Sequence, residues 1–170
     1  PVLNVNATST VSITENTTAV ASYTATDDDA GDTVSWLLSG DDASLFDISD
    51  SGELVFVSAP DYETPGSTAS SNAYSLTITA TDSGDLTDST AVTINVSDVY
   101  DEAPVLNVAA TSAVSIAENA TAVASYTATD DDAGDTVSWS LSGDDASLFD
   151  ISFGGELTFK SAPDYETPLG

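Results

Sequence analysis

The feature that most constrains this sequence is that it says nearly the same thing twice. Residues 1–67 run PVLNV…VSITEN…SYTATDDDAGDTVSW…GDDASLFDIS…GEL…SAPDYETP. Residues 104–170 repeat that run at an offset of 103, with 56 of 67 aligned positions identical. A long tandem repeat suits a chain that spans distance better than one that builds a single catalytic pocket. Each copy is too long for a solenoid unit and long enough to hold its own core. Two domains are expected: a complete one over residues 1–102 and the N-terminal part of a second over 103–170.

Charge narrows the class. Twenty-nine acidic residues face one base, Lys160, for a net charge of −28. Electrostatics therefore exclude nucleic acid and anionic membrane as partners. Disorder is not implied, because 41% of residues are hydrophobic and many are β-branched. No apolar run approaches the length of a membrane span, and no segment reads as a signal peptide; an internal piece of a larger secreted chain would lack both. The absence of Cys removes disulfides and thiolate metal sites. The absence of His removes the usual general base and the usual transition-metal ligand. Ser and Thr are plentiful, but only carboxylates remain to activate them, so no enzyme is expected.

The local pattern is β throughout. Residues 19–26 alternate, with Ala21, Tyr23 and Ala25 on one face. Residues 33–38 align Val34, Trp36 and Leu38, and 53–57 align Leu54 and Phe56. Residues 74–81 align Tyr74, Leu76, Ile78 and Ala80, and 90–97 align Val92, Ile94 and Val96. Period-two alternation between Gly, Asp, Ser and Pro reads as half-buried strands. With a split first strand over 2–5 and 11–13 and a short one over 45–48, the first copy has about seven strands. That predicts an all-β, Greek-key, immunoglobulin-like sandwich of roughly 100 residues. The second copy supports the assigned facing. Leu37, Val55 and Val57 become Ser140, Thr158 and Lys160, all at positions read as outward. A buried site does not accept Lys or Ser so freely.

The second copy stops after Asp164, Tyr165 and Glu166, before counterparts of 74–81 and 90–97. A sandwich without its last two strands exposes an edge and half a core. Residues 104–170 are therefore expected to need strands from a continuing chain or from a neighbouring molecule.

The acidic residues gather at strand ends: Glu15; Asp27, Asp28 and Asp29; Asp61 and Glu63; Asp82; and Asp98, Asp101 and Glu102. Successive loops of a sandwich lie at opposite poles. Asp27, Asp29 and Asp82 then share one pole, while Glu15, Asp61, Glu63 and Asp98 share the other. Converging carboxylates repel by roughly 4 kcal/mol per pair at 4 Å and an effective dielectric near 20. With no base nearby, such a cluster calls for a cation. All-oxygen, many-ligand sites favour Ca2+ over zinc, copper or Mg2+.

These residues resemble cadherin repeats, of the divergent kind found in large bacterial surface proteins. The matches are Glu15 with Asn16, the run from Ala25 to Asp29, Asp61–Tyr62–Glu63, Ala80 to Asp82, and Asp98 through Pro104; Glu118, Asp130, Asp132, Asp164 and Glu166 recur in the second copy. The resemblance implies Ca2+ ions between consecutive repeats. At the joint, Glu15, Asp61, Glu63, Asp98 and Asp101 would act from the first copy and its linker, with a backbone carbonyl from Val99 or Tyr100. Asp130 and Asp132 would act from the second copy. Asp27, Asp29 and Asp82 would form a half-site toward a preceding repeat, and Glu118, Asp164 and Glu166 one toward a following repeat. Tyr100 and Glu102 stand where the family's linker has Asn.

The implied function is a Ca2+-rigidified extension and adhesion module at the cell surface or outside the cell. Its partners would be neighbouring repeats of the same protein, with a homophilic or strand-donating contact to another copy as a further reading. Alternatives are a carbohydrate-binding module on a secreted polysaccharide-degrading enzyme, whose partner is a polysaccharide, and a self-associating filament subunit. Sequons occur at Asn6, Asn16, Asn95 and Asn119. Replacing Glu15 by Ala is expected to loosen the joint without unfolding either sandwich.

Overall fold

Strands form where the sequence alternates. In a computed structural model describing residues 1–5, 8–29, 31–108 and 112–167, the chain divides into two units, Pro1–Val99 and Tyr100–Gly170. The sequon at Asn6 lies outside the described residues. The first unit holds β1 (Val2–Leu3), β2 (Thr8–Thr14), β3 (Ala19–Ser22), β4 (Ala25–Thr26), β5 (Ser35–Ser39), β6 (Phe46–Ile48), β7 (Glu53–Phe56), β8 (Ala73–Thr81) and β9 (Thr87–Ser97). One sheet has the order β2-β9-β8-β5 and the other β3-β7-β6, while β1 pairs with β4. The first and second expected strands are each broken in two, which leaves the seven-strand sandwich intact. The β2–β9 pair is parallel and the remaining pairs are antiparallel.

The core sits between the sheets. Tyr23, Phe46, Leu54 and Phe56 come from one side, and Tyr74, Leu76, Ile78, Val92, Ile94 and Val96 from the other. Phe56 meets Tyr74 edge to face, with centroids 5.1 Å apart, an arrangement that aromatic quadrupoles favour. Trp36 packs against this cluster from β5, as an inward residue should. Leu37 and Val57 point outward, 63% and 58% exposed. One inward residue escapes the alternation. The register slips between Ala19 and Ala21 opposite β7, and this bulge turns both Val20 and Ala21 toward the core.

Two local devices fix the loops. Gly52 has φ +82°, and a Cβ there would collide with the Tyr23 carbonyl and press on Trp36, so the β6–β7 turn requires glycine. Asp42, 3% exposed, accepts the backbone N–H groups of Thr68 at 2.7 Å and Ser75 at 2.8 Å. Burial pushes its carboxyl up, but the donors from Thr68 and Ser75 outweigh it and hold the group below the usual Asp value. A depressed folded-state pKa stabilises above the unfolded value, about 3.9, and that contribution is lost as pH falls through the folded value. Asp42→Asn should therefore lose stability at neutral pH and show a shallower decline between about pH 4 and pH 2 than the parent, as urea titrations across that range would read. Parallel decline in both proteins would refute this role.

The second unit keeps only half of this architecture. It contains β10 (Val105–Leu106), β11 (Ala122–Ser125), β12 (Ala128–Thr129), β13 (Phe149–Ile151) and β14 (Glu156–Phe159). The sheet β11-β14-β13 reproduces β3-β7-β6, bulge included, and β10 pairs with β12 as β1 does with β4. Residues 112–117 and 138–142 form no strand, although their counterparts lie in β2 and β5. The cause is pairing. In the first unit β2 is held by β9 and β5 by β8, and residues 104–170 carry no equivalent of either. Val114 and Leu141 are left 48% and 37% exposed.

Candidate metal centre

The first cluster begins where β2 ends. Glu15 donates its backbone N–H to the Ser97 carbonyl at 3.0 Å, in line with the β2–β9 ladder. Asn16 then adopts φ +60° and donates to the Pro60 carbonyl at 2.9 Å. Asn tolerates this left-handed conformation better than most residues, which gives it a structural role beside the acid. The Glu15 side chain is 3% exposed and fully engaged. Its Oε2 accepts the Tyr62 N–H and its Oε1 accepts the Val99 N–H, each at 2.7 Å. One carboxylate thus ties the end of β2, the loop after β7 and the segment after β9. Asp61 accepts the Thr64 N–H at 2.8 Å, and the Thr64 hydroxyl and N–H hold its carboxyl below the usual range.

Glu15, Asp61 and Glu63 each bring one oxygen to within 4.8 Å of the others. Ca2+–oxygen bonds of about 2.3–2.6 Å place opposite ligands roughly 5 Å apart, so this set fits around one ion. A carboxylate oxygen that accepts one N–H still has a lone pair to offer. The donors are all oxygen, and the first unit contains no Lys, Arg or His to compensate them. Asp98 follows β9 directly, half-buried, next to Val99.

At the other end of the first unit the grouping is Asp27, Asp32 and Asp82. Asp29 is not a member; its N–H donates to Asp27 Oδ1 at 2.9 Å and shapes the turn instead. Asp32 takes the third place. Its Oδ1 accepts the N–H and hydroxyl of Ser83 and so links the loop after β4 to the loop after β8.

The second unit repeats the first of these groups and alters the other, in which Asp132, the counterpart of Asp29, is a member. Glu118, Asp164 and Glu166 gather as Glu15, Asp61 and Glu63 do, and Glu118 Oε2 accepts the Tyr165 N–H at 3.1 Å. The Thr167 hydroxyl at 2.6 Å and the Glu166 N–H hold the Asp164 carboxyl low. Asp130, Asp132 and Asp135 form the remaining group. Asp132 donates its N–H to Asp130 Oδ1 and accepts the Glu102 N–H, both at 3.1 Å. Tyr100 is 65% exposed and Asp101 is exposed; Asp101 is in none of the acidic groups found among the described residues of its unit. Asp32 and Asp135 were not singled out in the sequence. Their signal was the run 21–36, copied without change as 124–139.

The family described as Cadherin domain matches residues 9–97. No curated protein matches the chain. Among solved structures, mouse cadherin-23 EC22-24 is similar with a TM-score of 0.69 and 26% identity, covering 98% of this chain and 56% of that one. Human protocadherin-24 EC1-2 is similar with a TM-score of 0.72 and 24% identity, over 98% of this chain and 79% of that one. Protocadherin gammaB7 EC3-6, solved as a cis-dimer, has a TM-score of 0.66 and 27% identity, over 98% of this chain and 40% of that one. This chain therefore spans little more than half of the cadherin-23 fragment. With the match running over more than half of its residues and a seven-strand sandwich beneath it, this chain belongs to the cadherin family.

Proposed function

We propose that this chain is a Ca2+-rigidified extension and adhesion module of a large bacterial surface or secreted protein, working beside neighbouring repeats of that protein. Cadherin domains are extracellular, adhesion-type modules, generally bind Ca2+ and are generally not enzymes. Among the described residues no helix is long and apolar enough to cross a membrane. The observation that carries the calcium reading is the convergence of Glu15, Asp61 and Glu63 within 4.8 Å, in a unit without a single basic side chain. At that spacing, repulsion is about 3–4 kcal/mol per pair at an effective dielectric of 20, and a divalent cation converts it to attraction. Near-identical tandem copies and the lack of Cys, His and all but one base support a long, acidic, extracellular spacer. The linker residues Asp98 and Asp101, with a carbonyl of Val99 or Tyr100, would complete the ligand set, and Asp130 with Asp132 would serve the second copy. Homophilic contact between copies is part of the same reading.

Calorimetry with Ca2+ and with EGTA tests it. Extracellular modules bind with Kd about 10⁻⁴–10⁻³ M. At free Ca2+ of about 10–100 times Kd, each site adds roughly 1.4–2.7 kcal/mol. For a domain of this size the melting temperature of the first unit should rise on the order of 10 °C. Mg2+ at equal concentration should do much less, because it demands tighter octahedral geometry. A melting temperature unmoved by Ca2+ defeats the proposal.

A further inference from the structure

We propose that β5 is a self-pairing edge. Two copies of this chain associate by setting their β5 strands antiparallel across a two-fold axis, so that the sheet β2-β9-β8-β5 of one continues into that of the other. This names the surface for the homophilic contact read above and rests on that reading; no acidic ligand group takes part in it.

The two larger sheets of the first unit end in four edge strands, β2, β5, β3 and β6. An edge is ordinarily guarded by a charge, a proline or a bulge, because its free main-chain groups invite another strand. β3 has its bulge opposite β7, and β6 has the exposed Asp47. β2 presents only Thr and Ser on its outer face. β5 has none of these guards. It reads SWLLS, its register with β8 is unbroken from Ser35 to Ser39, and its central Leu37 is 63% exposed. Among the described residues, no main-chain hydrogen bond ties β5 to anything but β8.

The strand fits a second copy because its polarity reads the same from either end. Set antiparallel about Leu37, Ser35 meets the partner's Ser39, Trp36 meets the partner's Leu38, and Leu37 meets the partner's Leu37. Hydroxyl then faces hydroxyl and apolar side chain faces apolar side chain, as a two-fold contact requires. Beneath this edge, toward β6, a groove of about 360 Å3 is lined by Trp36, Leu38, Ala43, Phe46 and Ile48. Trp36 and Leu38 are half-buried there, so pairing covers apolar surface as well as main chain. No acid lies on β5; Asp32 and Asp41 stand beyond its ends, and Asp47 alone among the acids lines the groove. Neither copy gives up a strand of its own. An edge of five residues keeps the contact in the small, transient class, below about 1,200 Å2 of total buried surface. In a chain of several repeats such weak contacts add through effective concentration.

The test is sedimentation equilibrium of the full chain at millimolar concentration, in EGTA. In about 1 M NaCl the screening length is about 3 Å, which suppresses repulsion between two chains of charge −28. A monomer–dimer equilibrium is expected, and amide signals of residues 35–39 should shift on dilution. Leu37→Glu sets two carboxylates opposite each other and should weaken dimerisation at least about 10-fold, with the melting temperature of the dilute protein unmoved. Val57→Glu places the same charge at a site 58% exposed and away from β5, and should dimerise as the parent does. Leu37→Ser, which copies Ser140 of the second unit, removes the apolar contact without adding charge and should also weaken the dimer. A parent that stays monomeric overturns the proposal and the homophilic reading with it. A dimer undiminished by both Leu37 substitutions overturns this surface and leaves that reading standing. With Ca2+ absent throughout, the calcium experiment is read separately.

Discussion

Ile78→Ala is expected to lower the stability of the first unit by about 2–5 kcal/mol, a large share of the 5–15 kcal/mol typical of a folded domain. Ile78 is fully buried on β8, opposite Leu38 of β5 and in the cluster that Tyr74, Phe46 and Phe56 close. Truncation removes the transfer free energy of three carbons and leaves a cavity that two packed sheets cannot collapse into. Urea titration followed by Trp36 fluorescence, in a Trp139→Phe background, would measure it. Leu37→Ala, one strand away on the outer face and 63% exposed in the parent, should stay within about 0.5 kcal/mol. Similar costs for both would mean that the two faces of β5 and β8 are not distinguished as described.

Glu15→Ala should cost about 2–6 kcal/mol even in EGTA. The substitution leaves the Tyr62 and Val99 N–H groups without their acceptor, and each orphaned donor costs about 1–3 kcal/mol. This changes the expectation drawn from sequence, in which the substitution loosens a joint and leaves both sandwiches folded. The carboxylate holds the first sandwich together as well as facing Asp61 and Glu63. With Ca2+ present the loss should grow, because a ligand disappears in addition. Glu15→Gln retains one carbonyl acceptor but turns an amide toward the second N–H, so it should fall between parent and Ala. Chemical denaturation with and without Ca2+ gives both numbers. No loss in EGTA contradicts the hydrogen-bond geometry; equal losses in the two conditions contradict the ion.

The alternation of Tyr74, Leu76, Ile78 and Ala80, and of Val92, Ile94 and Val96, was enough to place two strands and their inner faces. The second copy sharpened this, since Ser140, Thr158 and Lys160 mark outer positions by substitution alone. These readings depend on side-chain period and on chain count, both local properties that a sequence carries directly.

The rest required three dimensions. Val20 turns inward because a bulge opposite Val55 and Leu54 shifts the phase, and nothing within residues 19–22 announces it. Asp32 joins Asp27 and Asp82, and Asp29 does not, because Ser83, fifty-one residues away, offers Asp32 its N–H and hydroxyl. Glu15 is decided by Tyr62 and Val99, forty-seven and eighty-four residues on. The second unit makes the same point by subtraction. Residues 112–117 and 138–142 carry nearly the strand-forming sequence of β2 and β5 yet form no strands, since a strand's backbone groups are satisfied only by a partner. Facing is written along the chain; pairing, and every ligand group that pairing assembles, is settled between segments that meet only in the fold.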